Sequence, residues 1–261
     1  MEIVVCVKQV PDTAEIKVDP ETNTLIRQGV PSIVNPFDKN AVEAALQLKE
    51  KHDGKITVIS MGPPQAKDAL KECLAMGADE AILISDRAFG GADTLATSYT
   101  LASAIKKLGK VDLVICGKQA IDGDTAQVGP EIAEHLGIPQ VTYVSKVEAD
   151  GNILRVEREH EEGYEVLEIS MPALLTVVKS INEPRYPTVK GTMKANRKEI
   201  PVWTVNDLEV DAAKLGLKGS PTQVRKIFVP PSRTQGEVIQ AETAREAVGL
   251  LIQKLTEAKI V

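Results

Sequence analysis

Between residues 2 and 147 five short apolar runs recur, separated by stretches with helical spacing, and this alternation narrows the fold more than any other feature. The runs are EIVVCVK (2–8), KITVIS (55–60), EAILIS (80–85), VDLVIC (111–116) and VTYVSKV (141–147). Several are apolar at nearly every position, as strands are when both faces are covered. The intervening segments predict a helix over 39–51 capped by Asp38 and a second over 64–76 with Pro64 in its first turn. A third starts near Asp93-Thr94, and a fourth follows Asp124-Thr125 and stops at Gly137. A βαβ series of this kind predicts an α/β fold: a doubly wound, mostly parallel sheet with helices on both faces.

Other segments depart from that rhythm. EIKVDPETNTLIR (15–27) alternates around a Pro-Glu-Thr-Asn turn and reads as a hairpin. VEADGNILRVERE reads as a second hairpin, turned at Asp150-Gly151, after which YEVLEIS and ALLTVVK return to the sheet. NEPRYPTVKGTMKANRKEIPVW has three prolines and no apolar period, which predicts a long extended connection. QAETAREAVGLLIQKLTEA predicts an amphipathic helix with Ala244, Val248, Leu251 and Leu255 on one stripe. The division expected is therefore an α/β domain over 1–181 and, over 182–261, a loop, an extended arm and a C-terminal helix. That helix must bury its stripe either on its own sheet or on another subunit.

A formal charge of −6 argues against non-specific nucleic-acid binding, although the local cluster KANRK (194–198) suits an acidic partner. The longest apolar stretches, such as MPALLTVV (171–178), are too short to span a bilayer, so no membrane insertion is expected. MEIVVCVKQVP reads as a first strand and not as a signal peptide. Cys6, Cys73 and Cys116 have no paired spacing and lie among apolar residues, which suits reduced core thiols in a cytoplasmic protein.

In an open α/β sheet, ligands sit beyond the carboxyl ends of the strands. Five loops emerge there: 8–13, 35–38, 61–65, 86–94 and 117–128. MGPPQ (61–65) is either a phosphate-receiving helix start or an ordinary stop and cap. FGGADTLATS (89–98) either approaches a nucleotide closely or is a common Gly-Gly turn. GKQAIDGDTAQV (117–128) is longer and more polar than a connection needs. Gly117 admits a ligand at the strand end, Lys118 and Gln119 offer donors, and Asp122 and Asp124 suit ribose hydroxyls, a helix cap or loop support. The alternative is an elaborately capped helix. Phosphate-loop, dinucleotide and serine-nucleophile fingerprints are absent, and His52, His135 and His160 lack metal-ligand spacing. Any redox work would fall to a bound cofactor.

VCVKQVPDT, NPFDKNAVEAAL, GKQAIDGDTAQVGPEIAEHLGIPQ and INEPRYPTVKGTMKANRKEI together, in this order over nearly the whole chain, resemble the β subunit of electron-transfer flavoproteins. The resemblance implies a heterodimer with an α subunit, on which the arm and last helix would pack. It implies a nucleotide contacted by Cys6, Asn35, Pro36, Phe37, Asp38 and Met61. The contacts continue through Gly117, Lys118, Gln119, Ala120, Ile121 and Asp122 to Gly123, Asp124, Thr125, Ala126, Gln127 and Val128. Ordinary members hold AMP there; members that bifurcate electrons hold FAD, reduced by NADH. The form GDTAQVGPEIAEHLGIP, together with GGADTLAT, is similar to the bifurcating branch, and small Gly123, Thr125 and Ala126 leave room for a flavin ring. Gly90, Gly91, Asp93 and Thr94 are then candidates for holding NADH. The implied electron acceptors are ferredoxin or flavodoxin and, through the α-subunit flavin, an acyl-CoA dehydrogenase. Tyr186, Val189, Lys194, Arg197 and Lys198 resemble the loop that recognises that dehydrogenase, and Phe37 either reaches toward the α flavin or staples the first helix. A stand-alone adenine-nucleotide-binding module is the competing reading from another class, and it leaves 182–261 without a role.

Overall fold

The computed structural model describes residues 1–12, 31–225 and 236–261. The chain opens with β1 (Glu2–Cys6) and a small antiparallel pair, β2 (Gln9–Pro11) and β3 (Ser32–Val34). Then come α1 (Pro36–His52), β4 (Lys55–Met61), α2 (Lys67–Met76) and β5 (Glu80–Ile84). They are followed by α3 (Thr94–Leu108), β6 (Leu113–Gly117) and α4 (Val128–Leu136). Strands β7 (Gln140–Asp150), β8 (Ile153–His160) and β9 (Gly163–Ser170) form an antiparallel meander before β10 (Ala173–Val177) returns to the sheet. The series closes with α5 (Val189–Arg197), β11 (Val202–Trp203) and α6 (Ala244–Glu257).

Nine strands form one sheet in the order β11-β5-β4-β1-β6-β10-β7-β8-β9. Every pairing from β11 to β7 is parallel, and only β8 and β9 run against their neighbours. Side chains alternate along β1, so Ile3 and Val5 join the core beneath α1 and α2 while Val4 and Cys6 join the core beneath α3 and α4. The doubly wound architecture therefore follows from the doubly apolar strands. From β1 the chain steps outward to β4 and β5, then crosses back to place β6 on the other side of β1. That reversal opens a crevice at the carboxyl ends of β1 and β6, between the starts of α1 and α4.

The structure revises several expectations. Helix α1 starts three residues before 39, and its N-cap position is Asn35, so Asp38 lies inside the first turn and does not cap it. Helix α4 does follow Asp124-Thr125, starting at Val128 with Gln127 at the cap position and no side-chain capping bond, so of the readings open for Asp124 the helix cap is not realised. The segment expected to be wholly extended contains α5, whose Thr188 hydroxyl accepts from the Gly191 N–H (2.9 Å). A Cβ at Gly191 would stand 2.3 Å from the Ala75 carbonyl oxygen, so α5 is seated on α2 through its backbone and not through an apolar stripe. Further along, Ile200, Leu208 and Leu215 are buried in the two cores, and β11 extends the sheet beside β5. The hairpin expected over 15–27 lies outside the described residues. The turn at Asp150-Gly151 is present, with Gly151 at φ 56°. No residue of α6 is buried: Val248, Leu250, Leu251 and Ile252 are 42–54% exposed. Among the described residues no helix is long and apolar enough to cross a membrane.

Candidate functional site

Three segments meet at the crevice, and wholly buried Asn35 joins them. Its amide N–H donates to the Lys8 carbonyl (2.9 Å), its Nδ2 donates to the Gln119 carbonyl (2.8 Å), and its Oδ1 accepts from the Ile121 N–H (3.1 Å). The end of β1, the start of α1 and the loop after β6 thus become one unit. Asp38 adds a second tie, its Oδ2 accepting from the Lys8 N–H at 2.7 Å. Gly117 is obligatory beneath it, because a Cβ there would lie 2.3 Å from Asp38 Oδ1 and 2.7 Å from the Phe37 backbone. Burial pushes the Asp38 carboxyl up to about 7, only partly offset by Asn35 and by the N–H groups of Lys8 and Gly117. Over the outer face of Phe37 sits the Lys179 ammonium, 5.0 Å from the ring centroid.

The loop's two aspartates are both engaged. Lys8 Nζ donates to the Asp122 oxygens at 2.7 and 2.9 Å, and Gln119 Nε2 donates to Asp124. Their negative charge is thereby turned to loop support. Asp124 and Ala126 adopt φ of 55° and 53°, in the left-handed region that costs a non-glycine residue about 1 kcal/mol or more. Gly123 does not share that conformation; instead a Cβ there would meet nothing within 4 Å, so its missing side chain leaves open space. The strain falls on its neighbours.

Cys6 and Met61 lie at the carboxyl ends of β1 and β4, as expected. Cys6 is in register with Cys116 on β6, and contact with Cys6 together with burial raises the Cys116 thiol. All three cysteines are free and buried. Thr94 is brought to the site, its Oγ1 donating to Glu131 Oε1 (3.0 Å) in the first turn of α4. Asp93 is occupied: its oxygens accept from Ala96 N–H (3.1 Å), as the cap of α3, and from Thr222 N–H (3.0 Å). Partial burial works to raise its carboxyl, and these bonds with Ser220 outweigh it and hold it low. Gly90 and Gly91 are exposed; the Gly90 carbonyl accepts from the Leu217 N–H (3.0 Å), and a Cβ at Gly91 would stand 3.3 Å from Leu217 Cβ. On the far flank Tyr186 and Val189 are 90% and 81% exposed, with Lys194 and Arg197 also outward. Lys198 instead turns inward to the Asp79 carbonyl.

Sequence reasoning missed three contributors. Lys8 neutralises Asp122. Gly129 lets the first turn of α4 sit on the sheet, since a Cβ would lie 2.5 Å from Thr176 Cγ2; a glycine inside a helix start was its only signal. Tyr143 sits at the carboxyl edge on β7 with φ 58°, beneath the Lys118 ammonium (4.8 Å to the ring centroid).

Fold and crevice define a doubly wound α/β protein of the kind that takes its ligand at the strand-order reversal. Residues 22–208 match the electron transfer flavoprotein domain, and the chain belongs to that family. It is 62% identical over 257 residues to the electron transfer flavoprotein subunit beta of Clostridium acetobutylicum, covering 98% of each chain. The subunit beta of Megasphaera elsdenii is 57% identical over 270 residues, covering 100% of both. A protein of Acetobacterium woodii described as caffeyl-CoA reductase-Etf complex subunit CarD is 55% identical over 262 residues, again covering 100% of both.

Proposed function

We propose that this chain is the β subunit of a heterodimeric electron-transfer flavoprotein of the bifurcating kind, holding FAD in the crevice between α1 and α4. Two features of the crevice fit that group. Lys118 is a half-buried cation without a carboxylate partner among the described residues, and the loop carries only small side chains at Gly123, Thr125 and Ala126. The chemistry FAD supplies when bound is acceptance of hydride from NADH and release of electrons singly, to ferredoxin or flavodoxin and, through the α-subunit flavin, to an acyl-CoA dehydrogenase.

The chain's own residues fix and screen the site. Asn35 and Asp38 hold its three segments in register, and Lys8 removes the charge of Asp122 from the anion's path. Thr94 stands at the α3 start, where NADH would approach, with Gly90, Gly91 and Asp93 shaping that loop. Residues 182–261 carry the partner-facing parts. Exposed Tyr186, Val189, Lys194 and Arg197 form the dehydrogenase-recognition surface, and α6 lays its apolar residues on the α subunit. The Acetobacterium relative, named as a subunit of a caffeyl-CoA reductase-Etf complex, supports an acyl-CoA-type redox partner.

The observation that carries the FAD assignment is the run of small residues Gly123, Thr125 and Ala126 in the loop after β6, where bulkier side chains would close on a bare adenylate. The test is to co-express the chain with its α subunit, denature the purified dimer and count released nucleotides. Two FAD per dimer support the proposal. One FAD with one AMP overturns bifurcation and leaves a one-electron carrier.

A further inference from the structure

The loop after β6 contains one cation, Lys118, that pairs with no carboxylate among the described residues. Lys8 is paired with Asp122, while Asp124 is held by Gln119. Lys118 has no carboxylate partner among the described residues, although it is half-buried and its own N–H is fixed to the Val177 carbonyl at 2.8 Å. A partly desolvated ammonium without a counter-ion is costly unless an anion or an aromatic face meets it. Here an aromatic face does, 4.8 Å away on Tyr143.

Tyr143 reaches that position at a price in backbone strain. It is a non-glycine residue at φ 58°, set where the β7–β10 register shifts between Leu175 and Val177, and its N–H points to Thr176 Oγ1 at 3.4 Å. The same Thr176 lies against Gly129 in the first turn of α4, so the Tyr143 backbone is set beside the start of that helix. A glycine would take this backbone without strain, so the side chain is what the position retains.

We propose that Tyr143 is a positioning residue for nucleotide binding: its ring holds the Lys118 ammonium at the crevice, where the ammonium meets the phosphate of the bound adenine nucleotide. The inference rests on the reading that the crevice takes such a nucleotide. Lys118 and Tyr143 then act as one unit, and their contribution is confined to the ligand's charged part.

The test uses the full-length chain purified with its α subunit and freed of nucleotide, with AMP, FAD and adenosine as probes. Lys118→Met and Tyr143→Leu should each raise the Kd of AMP and of FAD about tenfold, the loss of one charge-assisted contact. The double variant should bind no worse than either single one, Tyr143→Phe should stay within about twofold of the native chain, and adenosine should bind equally to all. Tyr143→Gly guards against misfolding, since it should melt at or above the native temperature and still lose AMP affinity. Native affinity in Tyr143→Leu, additive losses, or an equal loss for adenosine would overturn the inference alone. A native complex that binds no adenine nucleotide would overturn the functional reading and this inference with it.

Discussion

The Lys8 ammonium and the Asp122 carboxylate stand 2.7 Å apart across 114 residues of sequence, closing the loop after β6 onto the end of β1. The Lys8 side chain is 49% exposed, so the pair adds under about 1 kcal/mol to folding. On the proposed nucleotide reading its consequence lies in binding, because without Lys8 the Asp122 charge would face the ligand's phosphate. Lys8→Met should therefore leave the melting temperature nearly unchanged and raise the AMP Kd about fivefold, with Asp122→Asn restoring it in the double variant. Calorimetric titration of the three proteins checks this; failure of the second change to rescue would contradict it.

Asp38 predicts a pH dependence with a defined sign. Its carboxyl is raised from an ordinary 3.8 to about 7 by burial, so the folded state binds a proton that the unfolded chain has released. The stabilisation is complete below about pH 4 and is lost as pH rises to about 7. Asp38→Asn keeps an oxygen for the Lys8 N–H and cannot ionise. Its stability relative to the native chain should improve between pH 5 and pH 8, as read from denaturant midpoints. A difference that stays constant over that range would show that Asp38 does not titrate there.

Much of this was legible beforehand, for identifiable reasons. The parallel strands declared themselves because residues such as Val4 and Val5 must be apolar on both faces, and Gly137 marked the end of α4 by its left-handed turn. The crevice followed from topology, since carboxyl-end loops gather Asn35, Asp38 and Gly117 wherever the strand order reverses. Less accessible were features fixed by tertiary contact. Helix α5 has a weak internal pattern and is set by Gly191 on α2, while Tyr143 looks like any strand aromatic until its φ is known. The capping role given to Asp38 failed because the helix starts earlier, at Pro36, and the Asp38 carboxylate accepts instead from the Lys8 N–H between β1 and β2.

Arg185 ties the stretch leading to α5 onto α1, its guanidinium donating to Glu43 at 2.8 and 3.0 Å and also to Glu50. The Glu43 side chain is only 5% exposed. Burial works to raise its carboxyl, and the bonds from Arg185 and Gln47 outweigh that and hold it below the usual range. Arg185→Met strands the buried carboxylate and should cost about 2–3 kcal/mol near neutral pH, less than a fully buried pair because Arg185 is partly exposed. Glu43→Gln in the same chain should recover most of it. Because the native carboxyl is depressed, the benefit exists above the ordinary carboxylate range and fades as pH falls through it. The gap between native and variant midpoints should therefore shrink from pH 6 to pH 3.

Gly129 tests whether the seating of α4 on the sheet matters to the crevice. A Cβ there would stand 2.5 Å from Thr176 Cγ2 and 3.7 Å from Cys116 Cβ, both on rigid strands. Gly129→Ala should push the first turn of α4 outward, costing about 1–3 kcal/mol and weakening nucleotide binding. Thr176→Ser removes the methyl group struck and should recover both in combination. Normal stability in Gly129→Ala alone would mean that the helix start yields freely.

Helix α6 offers the most direct test of partnership. It is closed by a capping box, with Thr243 accepting from Glu246 N–H (3.3 Å) and the Glu246 carboxylate accepting in return, so the helix is locally well specified. Yet Val248, Leu250, Leu251 and Ile252 are 42–54% exposed, and no residue of α6 is buried. Apolar surface of this kind on a well-capped helix is stabilised by burial on another chain. Val248→Asp with Leu251→Lys should cut recovery of the co-expressed α subunit at least about tenfold, since burying two apolar side chains is worth roughly 3 kcal/mol. The circular dichroism of the chain should be unaffected, because among the described residues no strand of the sheet relies on α6 for cover. Undiminished recovery of the α subunit would place its main attachment elsewhere and leave the exposed stripe of α6 without an assigned contact.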